Sequence, residues 1–146
     1  MKKVYQSSSP QDTALLAKKI VPSLVSPAIL CLTGDLGTGK TTFTQALARS
    51  IGVTDVVTSP TFTLLQPYTA QHKNFTLLVH CDAYRVLSGE EFLTTGLREY
   101  FTRPKTLIVI EWSEHIQDIL PLDTWLITFT FGKKETERII TITPTP

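Results

Sequence analysis

The chain has 146 residues, enough for a single domain over residues 1–146 with a sizeable core, since such a chain buries roughly 68–70% of its unfolded surface. Its formal net charge is +1, with 14 Lys and Arg against 13 Asp and Glu, which excludes a broad electrostatic footprint for nucleic acid or an anionic membrane. No signal segment and no apolar run near ~18 residues is visible, so we expect a cytosolic protein without a membrane partner.

The first predicted elements are a short edge strand and a helix. Lys3 to Ser7 favours the strand, and Ser9-Pro10-Gln11-Asp12 then supplies an N-cap, a first-turn proline and a carboxylate three residues after the cap. The helix should begin at Pro10 and end before Pro22. Thr13 in its first turn has two open interpretations, an ordinary surface threonine or a neighbour of a nucleotide base. The buried face of this helix is predicted to hold three aliphatic residues: Leu15, Leu16 and Ile20.

The next segment has the pattern of a phosphate-binding loop. Ala28 to Thr33 is a continuous apolar run typical of a buried parallel strand. The pattern G-x-x-x-x-G-K-[ST] follows it and is met by four residues: Gly34, Gly39, Lys40 and Thr41. A helix should begin near Lys40 and end at Ile51-Gly52. A chance glycine-rich turn between core elements is the alternative, which the flanking strand and helix disfavour.

The residue types in this loop suit phosphate binding for physical reasons. Glycine lets the backbone wrap closely around oxygen atoms, and successive N–H groups with the helix N-terminus then form an anion nest. Lys40 is expected to reach the outer phosphates, and the Thr41 hydroxyl to ligate Mg²⁺. The predicted phosphate-binding residues are consecutive: Gly37, Thr38, Gly39, Lys40, Thr41 and Thr42.

A hydroxyl-rich loop should follow the phosphate-loop helix. Val56 and Val57 suggest a short strand, which Ser59-Pro60 interrupts because proline lacks an N–H donor. Thr58, Ser59, Thr61 and Thr63 lie where a switch that senses the third phosphate would sit. An ordinary proline turn is the alternative interpretation.

Two strands are then predicted, from Phe62 to Tyr68 and from Thr76 to Asp82, joined as a hairpin. Asp82 closes the second strand, a position from which a carboxylate ligates Mg²⁺ directly or through water. Three side chains of other functional types lie beside it in the sequence: His80, Tyr84 and Arg85. Taken singly, His80 is typical of a histidine that is buried in the core with its hydrogen bonds made, and Arg85 is typical of an exposed surface residue. Together, the three side chains next to Asp82 favour a functional site.

A second acidic strand end comes after two short helical turns, which we place at Glu90 to Thr94 and Leu97 to Phe101. Thr106 to Glu111 is another buried parallel strand, and the following Trp112 either covers a nucleotide pocket or caps the core. Ligands of open α/β sheets collect beyond the carboxyl ends of the strands. We therefore expect three candidate catalytic residues to share one crevice: Lys40, Asp82 and Glu111.

The carboxyl-terminal part should be a short helix from Ser113 to Leu120 and a hairpin of Thr124 to Phe131 with Glu135 to Thr143. Lys133, Lys134 and Arg138 are interpreted as solvated charge. The predicted fold is α/β, a P-loop NTPase-like three-layer domain with a mixed, largely parallel central sheet and antiparallel hairpins. The two cysteines, Cys31 and Cys81, lack metal or redox spacing and should be reduced core thiols.

The motifs also restrict the nucleotide and the chemistry. No N-K-x-D or D-x-x-G segment occurs, which disfavours a small GTPase and leaves ATP as the expected nucleotide. A small-metabolite kinase is the alternative, yet such enzymes close an arginine-bearing lid over two charged substrates. Only three arginines lie between Asp82 and Trp112: Arg85, Arg98 and Arg103. A nucleotide-binding module with little turnover is the third class.

Four motifs together resemble a known family. GDLGTGKTT, then Ser59-Pro60-Thr61-Phe62, then His80-Cys81-Asp82-Ala83-Tyr84-Arg85, then Glu111-Trp112 occur in the order and spacing of the bacterial TsaE family. This resemblance implies an ATPase of tRNA threonylcarbamoyladenosine biosynthesis with a compact mixed α/β fold. Such proteins bind ATP and Mg²⁺ and hydrolyse ATP weakly on their own. They act on the TsaB–TsaD complex, in which TsaD modifies adenosine 37 of tRNA. The resemblance implies that this chain would contact tRNA only through these partners.

The resemblance also implies residue roles. Gly37 to Thr42 would hold the phosphates, and Thr13 would approach the nucleotide. Thr41 and Glu111 would be the metal ligands, whereas Asp82 would serve catalysis or the metal shell. Ser59-Pro60-Thr61-Phe62 would be the switch.

Overall fold

The strands of the computed structural model, which describes residues 1–145, form one mixed sheet. In chain order they are β1 Lys3–Ser7, β2 Ala28–Thr33, β3 Leu65–Thr69, β4 Leu77–Asp82, β5 Thr106–Glu111, β6 Trp125–Phe131 and β7 Arg138–Thr143. Their spatial order is β1-β7-β6-β2-β5-β4-β3. The four central strands pair in parallel, and the flanking pairs are antiparallel. The predicted mixed sheet with antiparallel hairpins is confirmed.

The helices follow the predicted positions closely. They are α1 Pro10–Ile20, α2 Lys40–Ser50, α3 Gly89–Phe92 and α4 Leu97–Tyr100, with 3-10 turns at Val21–Ser23, Leu93–Thr95 and Ser113–Ile119. Ser9 caps α1 as expected, because its hydroxyl accepts a hydrogen bond from the Asp12 N–H at 3.1 Å. The predicted buried face was wrong at Leu15, which is 65% exposed, while Leu16 and Ile20 are buried.

Helices and turns cover both faces of the sheet, which gives the predicted three layers. Along β2, Leu30 and Leu32 belong to the core under α1 and α2. Ile29 and Cys31 belong to the opposite core, which α3, α4 and the turn Ser113–Ile119 close. A strand that is buried on both faces reads as a continuous apolar run, so β2 shows no alternation in the sequence.

Four of the predicted elements differ from the structure. Val56 and Val57 form no strand: Val56 is exposed, and Val57 is buried in a loop. β3 begins at Leu65 rather than Phe62, because the Leu64 N–H donates to the Pro60 carbonyl in a turn and Leu64 has a positive φ of 67°. The helix expected from Ser113 is a 3-10 segment with a kink at Ile116 (φ −131°). β7 begins at Arg138 rather than Glu135, since the hairpin turn is longer than expected.

The topology brings the carboxyl-terminal ends of β4 and β5 close to the phosphate loop. β2 runs directly into the loop, and its neighbour β5 is paired in turn with β4. Asp82 and Glu111, the last residues of β4 and β5, lie opposite each other in register. The predicted convergence of the two acids at this edge is therefore observed. No helix within residues 1–145 is long and apolar enough to cross a membrane.

Candidate functional site

The loop between β2 and α2 has a backbone that strongly favours glycine at two points, Gly34 and Gly39. Gly34 has a φ of 144°, and a Cβ there would lie 2.5 Å from the Phe129 carbonyl oxygen of β6. Gly39 caps α2 with a φ of 103°. The Thr38 hydroxyl donates to the Asp35 carbonyl at 2.7 Å and closes the loop. The first N–H groups of α2 consequently begin at a preformed concave turn, the arrangement that binds anions.

A cavity of about 460 Å³ opens beside this loop and gathers most of the predicted site. Its walls come from the phosphate loop, from the segment after α2 and from the ends of β4 and β5. The lining residues are Leu36, Gly37, Gly39, Lys40, Thr41, Thr42, Ser59, Thr61, Asp82, Tyr84, Glu111 and Trp112. All three candidate catalytic residues are among them.

Lys40 is almost fully buried, at 5% exposure, although it carries a charge. Its ammonium donates to the Gly34 carbonyl and to the Asp35 carbonyl, the latter at 3.1 Å, and lies 4.1 Å from the Trp112 ring centroid. Burial lowers the pKa of Lys40, and the negative charge of Glu111 partly opposes that shift. The side chain is thus held within its own loop, at the wall of the cavity.

Glu111 is the centre of the polar contacts in the cavity. One oxygen, Oε1, accepts from the Thr41 hydroxyl at 3.0 Å, and Oε2 lies 3.3 Å from the same hydroxyl. Oε2 also lies 2.6 Å from Nε2 of His80 and 3.4 Å from the Ser59 hydroxyl. The carboxylate is only 3% exposed, so hydrogen bonds replace its lost hydration.

Asp82 has different partners, which separates the two acids. Its Oδ1 accepts from the N–H of Tyr84 at 2.9 Å, and it is 6% exposed. Glu111, by contrast, bonds to the hydroxyl of the phosphate-loop Thr41. The strand pattern alone does not distinguish the acids, because both end apolar strands, and only the family resemblance assigned Glu111 to the metal. The side-chain contacts also favour Glu111 as the partner of Thr41.

The donor set suits a magnesium ion that shares its ligands with a phosphate. No group of three or more His, Cys, Asp or Glu side chains within the described part of the chain could hold a metal. Mg²⁺ is usually bound through one or two protein oxygens together with waters and substrate phosphates. A threonine hydroxyl against a carboxylate oxygen at 3.0 Å fits that requirement.

Trp112 lines the cavity and also packs against the core that α3 and α4 close, so it fits both roles considered for it. It takes a left-handed backbone conformation (φ 58°) that turns it out of β5. Its ring packs on Tyr84, with centroids 4.8 Å apart, and on His115, at 5.7 Å. His115 Nδ1 lies 2.7 Å from the Ala83 carbonyl oxygen, so it joins the segments after β4 and β5. Nothing in the sequence singled out His115.

A second cavity, of about 350 Å³, lies on the other side of the phosphate loop. It is lined by Ser9, Pro10, Thr13, Gly37, Thr38, Gly39, Thr42, Glu135, Thr136 and Arg138. Thr13 is buried, and its hydroxyl lies 2.7 Å from that of Ser7. The interpretation of Thr13 as a plain surface residue is therefore wrong.

Arg138 also departs from its predicted role as solvated charge. It donates to the Gly37 carbonyl at 3.1 Å and thereby ties β7 to the phosphate loop. Lys133 and Lys134 are exposed, as expected. Because Gly37 and Arg138 are 101 residues apart, no local pattern could indicate this contact.

The loop after α2 connects the interior of the site to its surface. Ser59 lies within 3.4 Å of both Thr41 and Glu111. Three residues later, Phe62 is 84% exposed, and the guanidinium of Arg85 lies 4.8 Å from its ring centroid. The sequence grouped Arg85 with Asp82 in one candidate site, but Arg85 does not line the cavity and contacts Phe62 at the surface.

The chain is similar to proteins of one known family. The family model described as threonylcarbamoyl adenosine biosynthesis protein TsaE matches residues 7–140. A Bacillus subtilis protein named tRNA threonylcarbamoyladenosine biosynthesis protein TsaE is 35% identical over 139 residues, which cover 95% of this chain and 84% of that protein. A Rickettsia bellii protein of the same name is 42% identical over 115 residues, covering 78% and 76%.

A solved structure shows the same architecture. The crystal structure of YdiB from Bacillus subtilis superposes with a TM-score of 0.81 and 32% sequence identity. The match covers 100% of this chain and 87% of that one. Sequence and fold therefore lead to the same group of proteins.

Proposed function

This chain belongs to the TsaE family, and from that premise we propose that it binds and hydrolyses ATP as a single-domain accessory subunit of tRNA threonylcarbamoyladenosine biosynthesis. Its hydrolysis would reset or activate the TsaB–TsaD complex. The observation that carries the proposal is the Thr41–Glu111 contact beside a preformed phosphate loop. That contact unites a metal-ligating hydroxyl with an acid from a neighbouring strand.

Binding begins with the main chain. N–H groups from Gly37 to Thr42 hold the polyphosphate, helped by the positive end of the α2 dipole. Lys40 exchanges its contacts with the Gly34 and Asp35 carbonyls for outer phosphate oxygens. The exchange keeps a buried ammonium paired, since an anion replaces two neutral acceptors.

The metal would lie in the first cavity, and the adenine base in the second. Thr41 and Glu111 would hold Mg²⁺, which when bound neutralises charge on the phosphate oxygens. Asp82 lies in the same cavity and orients the attacking water, in line with the bond between the third phosphate and ADP. The base and ribose extend into the second cavity beside Thr13.

The loop Ser59-Pro60-Thr61-Phe62 is proposed as the switch. Ser59 contacts the Thr41–Glu111 pair, and Phe62 carries the change to the surface, where TsaB–TsaD would bind. Such loops change order when the third phosphate is lost. With a net charge of only +1, the chain has little charge for gripping tRNA directly, so tRNA is contacted through the partners.

The test is a turnover measurement with and without partners. We expect slow ATP hydrolysis by the chain alone and a clear stimulation by TsaB–TsaD. Lys40→Ala should abolish stimulated turnover, whereas Lys133→Ala, at an exposed lysine outside both cavities, should match the wild type. Absence of stimulation, combined with transfer of labelled phosphate to small molecules, would favour the metabolite kinase instead.

The kinase alternative has little support from the arginines. Arg85 stacks on Phe62, and Arg103 lies 5.9 Å from the Tyr100 ring centroid. Neither residue lines the two cavities. A binding module without turnover remains the third class; it predicts complex assembly that depends on Lys40 and hydrolysis that stays negligible with every partner.

A further inference from the structure

A buried histidine contacts the acid at the centre of the site. His80 lies in β4, is fully buried, and places Nε2 2.6 Å from Glu111 Oε2. Along the ladder, His80 is in register with Val109, so Glu111 is its diagonal neighbour two residues further on β5. The other ring nitrogen, Nδ1, has no hydrogen-bond partner among the residues that the structure describes.

These contacts discriminate between the two neutral tautomers of the ring. A proton on Nδ1 would bury a donor without an acceptor and turn the Nε2 lone pair towards the Glu111 carboxylate. A proton on Nε2 gives Glu111 a donor and leaves only a lone pair unpartnered. The tautomer with the proton on Nε2 satisfies the site better.

We propose that His80 is the positioning residue of the nucleotide site: its Nε2–H holds Glu111 Oε2, so that Oε1 faces the Thr41 hydroxyl. This inference rests on the proposed function. A carboxylate bonded through one oxygen cannot rotate freely, and the other oxygen stays 3.0 Å from Thr41. Groups that orient metal ligands in this way commonly change metal affinity by about 10–100-fold when they are removed.

The role also explains why a polar ring lies in an apolar strand. Leu78, on the same face of β4, packs in the core under α1 and α2. A histidine at position 80 loses all hydration there and gains a single strong hydrogen bond in return. A charge-assisted bond to a carboxylate is the kind that offsets such burial.

The first experiment reads the tautomer without any ligand. Long-range proton–nitrogen correlation spectra of the wild type distinguish protonated from unprotonated ring nitrogens. The chain has three histidines, and the signal absent from His80→Gln identifies the ring. We expect the proton on Nε2 of His80; a proton on Nδ1 would overturn the proposal, whatever the chain does with ATP.

The second experiment uses matched variants. His80→Gln keeps an N–H donor on a side chain of similar reach, and His80→Leu removes it while it keeps an apolar volume. The readout is calorimetric ATP affinity across a Mg²⁺ titration, with thermal midpoints measured in parallel. The quantity compared is the Mg²⁺ concentration at which ATP affinity reaches half of its maximal increase. We expect this concentration to be about tenfold higher in His80→Leu than in the wild type, and within about threefold of the wild type in His80→Gln.

A double mutant separates positioning from packing. If His80 acts through Glu111, His80→Leu should leave the Mg²⁺ dependence of a Glu111→Gln background unchanged. A lower thermal midpoint with the wild-type Mg²⁺ dependence would mean a structural role and would overturn the proposal. A wild type whose ATP affinity ignores Mg²⁺ would overturn the metal part of the proposed function as well. If His80→Leu does not fold, the NMR measurement of the His80 tautomer in the wild type decides whether the proposal holds.

Discussion

Replacing Glu111 by glutamine isolates the charge of the residue on which the site depends. The amide keeps the length and shape of the side chain, so the contacts to Thr41, Ser59 and His80 remain sterically possible. What changes is one negative charge in a position that is 3% exposed. The substitution therefore tests electrostatics rather than packing.

The expected change in stability is small because two effects oppose each other. A hydrogen bond to a charged group contributes about 1.5–3 kcal/mol and a neutral one about 0.5–1.5 kcal/mol, so the bonds to Thr41 and His80 together lose roughly 2 kcal/mol. Removing a buried charge recovers a desolvation penalty of several kcal/mol per ion at most. We expect the free energy of unfolding to change by less than about 2 kcal/mol.

Turnover should respond much more strongly. If Glu111 holds or orients the metal, Glu111→Gln and Glu111→Ala should each lower ATP hydrolysis more than tenfold, which corresponds to about 1.4 kcal/mol of transition-state stabilisation. The alanine variant should also be less stable than the glutamine variant by about 1–3 kcal/mol, because it leaves the His80 donor unpaired.

The assay pairs urea unfolding with hydrolysis at saturating Mg²⁺ and ATP in the presence of TsaB–TsaD. Urea unfolding gives the free energy of unfolding independently of activity. Hydrolysis by Glu111→Gln within twofold of the wild type would refute the assignment of Glu111 to the metal. A large loss of stability in the same variant would show that its charge serves the fold.

Three further predictions concern other parts of the molecule. Gly39→Ala should lower the free energy of unfolding by about 1–2 kcal/mol and weaken ATP binding in titrations, because a Cβ meets no clash there but φ is 103°. Thr13→Gln should weaken ATP at least tenfold but leave tripolyphosphate within about twofold, if the base occupies the second cavity; equal losses would contradict that placement. Burial raises the pKa of Cys31 from 9.0 to about 11, so the unfolded chain loses this proton first and stability falls between these pH values. The loss should be on the order of 2–3 kcal/mol and smaller in Cys31→Val, as urea unfolding at pH 8 and pH 11 would show.

Local patterns were sufficient for the elements that build the site. The glycine spacing, the apolar runs of β2 and β5 and the cap at Ser9 each reflect interactions within a few residues of the chain. The convergence of Lys40, Asp82 and Glu111 followed from one rule of sheet topology, that parallel strands present their carboxyl ends at a common edge.

Contacts between distant segments could not be predicted in this way. The bond of Arg138 to the Gly37 carbonyl joins residues 101 positions apart, and the His80–Glu111 bond depends on strand register. Leu15 follows helical periodicity yet is exposed, because periodicity does not say how wide the covered stripe of α1 is. Val57 packs in the core from a loop, which no strand pattern describes.

A structure with Mg²⁺ and a non-hydrolysable ATP analogue would show where this chain binds the polyphosphate and the metal. We predict phosphate oxygens against the main-chain N–H groups of Gly37 to Thr42, with a metal ion ligated by Thr41 and by Glu111 directly or through water. Polyphosphate bound elsewhere, or a metal bound to neither side chain even through water, would rule out the proposed site.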